Sequence, residues 1–280
     1  MSGTIQLIIK ELKIDAVIGC YDYERTQTQA LVIDLTLDLG SWNYSDELEH
    51  TVNYADVHAM IINLTSKSNF LLVESLAKFL AQELFSCYDQ IKKIAITISK
   101  PEVCTEKGCL IQASFTQARE YKVALALGSN LNNPRQQLIS AIEFISEIIS
   151  DISCAPIYKS SPCGFAEQDD FFNTCISGKT TLEPLKLLVA LKKIEKSMGK
   201  IEQFTNGPRV IDIDIILFDD KIHHELFLTI PHPRLSERDF VLQPLVEIEP
   251  NWIHPELKLS ITELLAQLSP NQHYILRQLD

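Results

Sequence analysis

The segment Arg209-Val210-Ile211-Asp212-Ile213-Asp214-Ile215-Ile216-Leu217-Phe218 sets the hardest condition on any fold this chain adopts. Its composition is that of a buried strand, yet it carries two aspartates two residues apart. On a strand, side chains at i and i+2 share a face, with Cα atoms ~7 Å apart. Aspartate is a poor strand former and is costly to bury unpaired. The ordinary alternative is an edge strand whose polar face meets solvent. The large apolar residues after Asp214, and the arginine just ahead, weigh against it. Two carboxylates on one face then call for a shared cation. Hard divalent ions take oxygen ligands, and Mg²⁺ on one or two carboxylates completes its shell with water and substrate phosphates.

Downstream lies Pro231-His232-Pro233-Arg234-Leu235-Ser236-Glu237-Arg238-Asp239-Phe240. One histidine and two arginines this close together can hold a polyphosphate through charge-assisted hydrogen bonds. A polyanion clamp beside metal-binding carboxylates suits phosphoryl transfer. No G-x4-G-K-[ST] loop is present, so this is not a P-loop enzyme.

The net charge of −12 disfavours nucleic acid or an acidic membrane as partner, and the acidic excess is spread over both halves of the chain. Any phosphate ligand therefore needs a local cluster or a metal. No apolar run approaches the ~18 residues that span a bilayer. Residues 1–10 read as a strand rather than a signal peptide. Seven cysteines, an odd number, include no C-x-x-C, and the pair at 104 and 109 lacks a second pair at zinc spacing. The expectation is a reduced, cytoplasmic protein.

A length of 280 residues suits two medium domains. In the first part, strands are expected at 5–9, 31–39, 91–99 and 110–116, with helices at 54–64 and 73–85. Strands this close together pair antiparallel, with both helices on one face. A boundary falls at 117–122. After it come a strand at 123–127, a helix at 134–149, strands at 153–160 and 172–180, a helix at 185–198 and the aspartate strand at 210–218. That β-α-β-β-α-β order matches the ferredoxin-like motif. The chain is thus expected to be α+β, with domains at 1–119 and 120–280.

Residues 122–280 resemble 6-hydroxymethyl-7,8-dihydropterin pyrophosphokinase. The resemblance rests on Ala126-Leu127-Gly128-Ser129-Asn130-Leu131, on Gly207-Pro208-Arg209 with Asp212-Ile213-Asp214, and on Pro231-His232-Pro233. It implies ATP as co-substrate and two Mg²⁺ ions on Asp212 and Asp214. It assigns ATP contacts to Glu195, Lys200, Arg209, His232 and Arg238. It implies a pterin slot from Ser160, Ser161, Pro162 and Cys163, with Phe171 and Phe240 stacking on the ring and Asn173 bonding its edge. Lys200 and Glu202 stand where the family often has arginines. Lysine offers a point charge without the bidentate fork, and glutamate cannot substitute for arginine at all.

Residues 4–118 resemble dihydroneopterin aldolase, through Gly19-Cys20-Tyr21-Asp22-Tyr23-Glu24, Asn53-Tyr54-Ala55-Asp56, Leu72-Val73-Glu74 and Ser99-Lys100-Pro101. The implied reaction is retro-aldol cleavage of dihydroneopterin, with Lys100 as acid/base, Tyr54 as proton relay and no cofactor. A lysine in that role calls for desolvation or a neighbouring cation. Glu74 and the backbone of Leu72 and Val73 are implied to anchor the pterin edge, and Glu24 to meet the side-chain hydroxyls. The tunnelling fold so implied assembles as a homo-oligomer, an octamer or tetramer, through this domain. The first product would be the second domain's substrate, which makes the chain a bifunctional enzyme of folate biosynthesis. An epimerase of dihydroneopterin or its triphosphate is a closely similar alternative for the first half. A pterin-binding scaffold without lyase activity is another, against which Glu74, Tyr54 and Lys100 weigh.

Overall fold

The computed structural model describes residues 4–41, 46–103, 110–201 and 207–279. Cys104, Cys109 and Glu202 lie outside the described residues. The chain divides into two compact units, Met1–Arg119 and Glu120–Asp280.

The first unit is one antiparallel sheet in the order β1-β2-β3-β4, formed by β1 (Thr4–Ala16), β2 (Gln29–Ser41), β3 (Lys93–Lys100) and β4 (Ile111–Ala118). Two helices, α1 (Tyr54–Ser66) and α2 (Val73–Cys87), connect β2 to β3. Alternation decides which face they cover. Leu31, Ile33, Leu35 and Leu37 of β2 join Ile94, Ile96 and Ile98 of β3 in one core with Val57, Ile61, Leu76, Leu80 and Leu84 of the helices. The opposite face is polar, with Thr97 bonded to Ser114 and Lys10 to Asp34. β1 runs well past the expected 5–9, because a bulge at Glu11 (φ 55°) resets the register between Ile9 and Leu12. That irregularity interrupts the period-2 pattern and conceals the second half of the strand.

The second unit carries β5 (Tyr121–Ser129), α3 (Pro134–Ile145), β6 (Ser150–Cys154), β7 (Ile157–Ser160), β8 (Phe171–Thr180), α4 (Pro184–Ser197) and β9 (Asp212–Phe218). The order β7-β8-β5-β9 is the ferredoxin-like arrangement expected from the chain order. The strand expected at 153–160 is instead two short ones, since Pro156 between them has no N–H to give a ladder. The helix expected to reach 149 ends at Ile145, where the chain turns into β6.

Beyond residue 218 the chain adds β10 (His223–Glu225), β11 (Leu228–Ile230), α5 (Asp239–Ile248), α6 (Ile261–Ala266) and β12 (Ile275–Leu279). Of these, α5 and α6 cover the second face of the sheet. Val123, Leu125, Leu127, Ile211, Ile213 and Ile215 pack with α3 and α4 in one core. Ala124, Ile216 and Leu217 pack with Val241, Leu242, Leu245, Ile261 and Leu264 of α5 and α6 in another. Burial on both faces is why β5 and β9 read as nearly continuous apolar runs. β12 then pairs with β7, anchored by Asp239, whose Oδ2 accepts from the N–H groups of Tyr274 (2.8 Å) and Ile275 (3.0 Å). No helix among the described residues is long and apolar enough to cross a membrane.

Candidate functional site

In the first unit the loop after β1 turns at Gly19 (φ +140°) and runs into a 3-10 turn over Asp22–Arg25. The glycine is required twice over. Its φ is one that side chains avoid, and a Cβ there would sit 2.1 Å from the Glu24 carboxyl. Glu24 is only 8% exposed. Lys100, at the end of β3, donates to Glu24 Oε1 at 2.9 Å and to Ile18 O at 3.4 Å. The Tyr21 N–H donates to Glu24 Oε2 at 3.1 Å, and Gln29 bonds both Glu24 and Ile18 O. The Lys100 hydrogen bond, followed by that of the Tyr21 N–H, holds the Glu24 carboxyl below the usual carboxylate range. Of the two conditions expected for Lys100, desolvation or a neighbouring cation, the structure shows the burial, with the side chain 14% exposed, and its charged neighbour is an anion.

Asn53-Tyr54-Ala55-Asp56 proves to be a helix start. The Asn53 side chain accepts from Ala55 N, donates to Asp56 Oδ2, and so sets Tyr54 at the first turn of α1, 68% exposed. Leu72 and Glu74, at the start of α2, are exposed, and Val73 is half-buried. Leu72 offers no side-chain cap, which leaves the first N–H groups of α2 open to a ligand. Among the described residues no hydrogen bond or ion pair joins Tyr54 or Glu74 to Glu24 or Lys100. Arg25 and Gln29, which organise the Glu24 loop, carried no signal in the sequence.

In the second unit a cavity of about 190 Å³ opens between the sheet and the segment leading into α5. Ile213 faces α3 and α4, so Asp212 and Asp214 face the other way, into this cavity with Ile216. Arg209, His232, Arg238, Phe171, Phe240, Asn173, Ser160, Ser161 and Cys163 line it too, whereas Pro162, Glu195 and Lys200 do not. The motif around Gly128 builds its floor. Gly128 leaves room for Asn173 Oδ1, which would lie 3.0 Å from an added Cβ, and Asn173 donates to Ser160 Oγ at 2.8 Å. Ser129 Oγ donates to Val210 O, and the Asn130 side chain accepts from Arg209 N at 2.8 Å while donating to Asp169 O. The sequence signature is thus largely a clamp on the turn that presents Arg209.

Asp212 is paired with Lys200 at 2.6 Å and Arg209 at 2.5 Å. Burial raises its pKa, but Arg209 and Lys200 outweigh that and leave it low. Asp214 has no hydrogen bond or ion pair among the described residues. Burial, and then the Asp212 charge, push it up to about 6. An unpaired carboxylate beside a paired one, facing one cavity, fits the donor chemistry of a hard divalent ion. Glu195 is 2% exposed and sits behind them. Its Oε1 accepts from Ile213 N at 2.7 Å and from Lys192 at 2.8 Å, and its Oε2 pairs with Lys200 at 3.0 Å. It holds the strand between the aspartates.

His232 is pushed down to about 4 by burial, then by Arg238 and Arg234. Its Nδ1 accepts from Arg234 N at 3.1 Å, which puts the proton of the neutral ring on Nε2. Arg238 lies over the Phe240 ring (5.6 Å) and Arg209 over Phe171 (5.5 Å). The edge of Tyr274, brought in by β12, meets Phe240 at 5.7 Å. Nothing in the sequence pointed to Tyr274, because it reaches the site only through the pairing of β12 with β7.

Fold and site together define a two-unit α+β enzyme. The sequence pattern of the family described as dihydroneopterin aldolase matches residues 7–111. That of 7,8-dihydro-6-hydroxymethylpterin-pyrophosphokinase matches residues 124–250. The 2-amino-4-hydroxy-6-hydroxymethyldihydropteridine pyrophosphokinase of Aquifex aeolicus is 42% identical over 50% of this chain and 88% of its own. Folic acid synthesis protein FOL1 of Dictyostelium discoideum is 33% identical over 95% of this chain, which spans 45% of that relative's length. A solved structure, E. coli dihydroneopterin aldolase in complex with neopterin, is 24% identical with a TM-score of 0.37, covering 41% of this chain and 99% of that one. The chain belongs to the 7,8-dihydro-6-hydroxymethylpterin-pyrophosphokinase family through its second unit, and its first unit matches the dihydroneopterin aldolase pattern over residues 7–111.

The two shifted groups oppose each other with pH in the metal-free protein. His232 is depressed from 6.5 to about 4, so as pH falls through that window the unfolded chain binds the proton first and stability drops. Asp214 is raised from 3.8 to about 6, so the folded chain holds its proton and that stabilisation is lost as pH rises through the same range. The contributions of these two groups should therefore largely cancel between pH 4 and 6. Site-resolved NMR should show a His232 imidazole midpoint near 4 and an Asp214 carboxyl midpoint near 6. Midpoints at the ordinary values would contradict the burial described.

Proposed function

We propose that this chain catalyses two consecutive steps of folate biosynthesis. The first unit cleaves 7,8-dihydroneopterin by retro-aldol reaction to 6-hydroxymethyl-7,8-dihydropterin and glycolaldehyde. The second transfers a pyrophosphoryl group from ATP to the new hydroxymethyl oxygen, giving the pterin diphosphate and AMP. The observation that supports this most is the cavity in which Asp212, Asp214, Arg209, His232 and Arg238 face Phe171, Phe240 and Asn173. One side carries charge for a polyphosphate and the other a flat, apolar slot with a fixed polar edge, as a heteroaromatic alcohol would need.

Asp212 and Asp214 would hold Mg²⁺, which when bound neutralises the phosphate oxygens and lowers the barrier to displacement. Arg209 and Arg238 offer guanidinium forks to phosphates, and the neutral His232 offers a donor without adding charge. Glu195 and Lys200 act behind the site, by fixing β9 and compensating Asp212. In the first unit a base takes the proton of a side-chain hydroxyl, the adjacent carbon–carbon bond breaks, and its electrons pass into the pterin ring. Proton return to the ring-bearing carbon completes the product. Lys100, held by Glu24 and Ile18 O, is positioned to exchange that proton, with Tyr54 as relay. Glu24 meets the side-chain hydroxyls, and Glu74 with the open N–H groups of α2 anchors the ring edge.

Mass spectrometry of dihydroneopterin incubated with the protein tests the scheme. Without MgATP the expected products are hydroxymethyl-dihydropterin and glycolaldehyde, and with it the pterin diphosphate and AMP. Side-chain inversion without glycolaldehyde would make the first unit an epimerase, and unchanged dihydroneopterin would make it a scaffold. Asp212→Ala and Asp214→Ala should each lose pyrophosphoryl transfer by at least a hundredfold and keep cleavage; kinase turnover within threefold of wild type would sink the metal assignment.

Anchoring and chemistry separate in the first unit. Glu74→Gln should weaken pterin binding about tenfold with little change in single-turnover rate, whereas Lys100→Ala should keep binding and lose rate. The opposite pattern would exchange the two roles.

The outer edges of β1 and β4 have no partner strand within the unit. Open edges of this length invite pairing with further copies, as a ring. We read the assembly as an octamer or tetramer, with Tyr54 and Lys100 of one site drawn from different chains. Light scattering should give a mass several times 31.7 kDa. A monomer with full cleavage activity would rule this out.

A further inference from the structure

The Glu24–Lys100 pair and the start of α2 belong to separate stretches of chain, and the side chain that ties them together is Arg25. Its Nη1 donates to Gly19 O at 3.3 Å and to Phe70 O at 3.0 Å. Its Nη2 donates to Asn69 O at 3.1 Å and also bonds Asn69 Oδ1. One weak backbone bond, Gly19 N to Phe70 O at 3.4 Å, runs alongside. All four guanidinium bonds thus go to oxygens of the Gly19 turn or of the two residues just ahead of Leu71-Leu72-Val73-Glu74. The residue is half-buried, and its planar fork makes four bonds in a fixed geometry across both segments, more than the three donors of an ammonium on a flexible stem can match.

The geometry points to Arg25 as a positioning residue for the cleavage reaction, one that fixes the distance between the reacting end of the first unit's site and the end that anchors the ring. This rests on the aldolase reading above. Glu24 sits next to Arg25 on the same 3-10 turn, and its carboxylate is placed by Tyr21 N and Lys100. The first turn of α2 follows Phe70 by two residues. A substrate held at its ring by α2 and at its side chain by Glu24 and Lys100 meets both ends of this tether. Loosening it leaves each end intact but alters their spacing. Misplacement of ~1 Å costs on the order of a hundredfold in rate.

The test uses the full chain with Arg25→Ala and Arg25→Lys, and three readouts. These are the kcat for glycolaldehyde release, the dissociation constant of pterin lacking a side chain, and pyrophosphoryl transfer to hydroxymethyl-dihydropterin by the second unit. Both variants should lose about ten- to a hundredfold in cleavage kcat. Ring binding should stay within about threefold of wild type, and transfer should be unchanged. Lysine keeps the charge and preserves folding if alanine does not, and it should fail to restore kcat because it cannot reproduce all four bonds or their fixed plane. Cleavage within twofold of wild type in both variants, or full kcat in Arg25→Lys, would overturn the inference. So would a loss of ring binding parallel to the loss of kcat, which marks general support of the fold. Absence of glycolaldehyde with the wild-type chain would instead refute the aldolase reading, since only the variants test Arg25.

Discussion

Two carboxylates buried on one face of a central strand are what the second unit is arranged around. Burial alone would protonate both. Lys200 and Arg209 keep Asp212 charged, while Asp214 receives no such partner and drifts upward to about 6. The asymmetry leaves one carboxylate compensated by two cations and the other without an ion-pair partner among the described residues. Glu195 is itself buried and acts from the opposite side of the sheet, seizing Ile213 N and both Lys192 and Lys200. Removing any one of these charges would leave another uncompensated in low dielectric, which is why the cluster has to be read as a unit.

The first unit meets a similar condition with fewer parts. Glu24 is buried against Lys100, the Tyr21 N–H and Gln29, in a turn that closes only because Gly19 has no side chain. Neither partner lies at an open surface, yet Tyr54 and Glu74 do. The buried Glu24–Lys100 pair thus contrasts with Tyr54, which no bond among the described residues joins to it within a single copy. That contrast is the physical ground for expecting a neighbouring copy to complete the site.

Several motifs turned out to be architecture as much as chemistry. Asn53 and Asp56 cap a helix and so deliver Tyr54. Ser129 and Asn130 hold the Arg209 turn, and Gly128 makes room for Asn173. Residue identity marks these positions, but what each side chain holds there is visible only from its partners. Glu195 shows the limit most clearly. The resemblance names it for a nucleotide contact, and the structure adds bonds to the Ile213 N–H, Lys192 and Lys200 that no sequence pattern announces.

From the sequence by itself came the α+β class, the two antiparallel sheets and the facing of the two aspartates, because periods of 2 and 3.6 are local properties that survive without knowledge of neighbours. What only the tertiary structure decided lies where partners are distant in the chain. β12 joins β7 and brings Tyr274 to Phe240. α5 and α6 close the second face and turn the aspartate strand's polar side into a cavity wall. Arg25 reaches residues 69 and 70. Each of these contacts exists because burial and hydrogen-bond satisfaction are settled over the whole unit at once, and no local pattern of residues encodes which remote carbonyl a guanidinium will find.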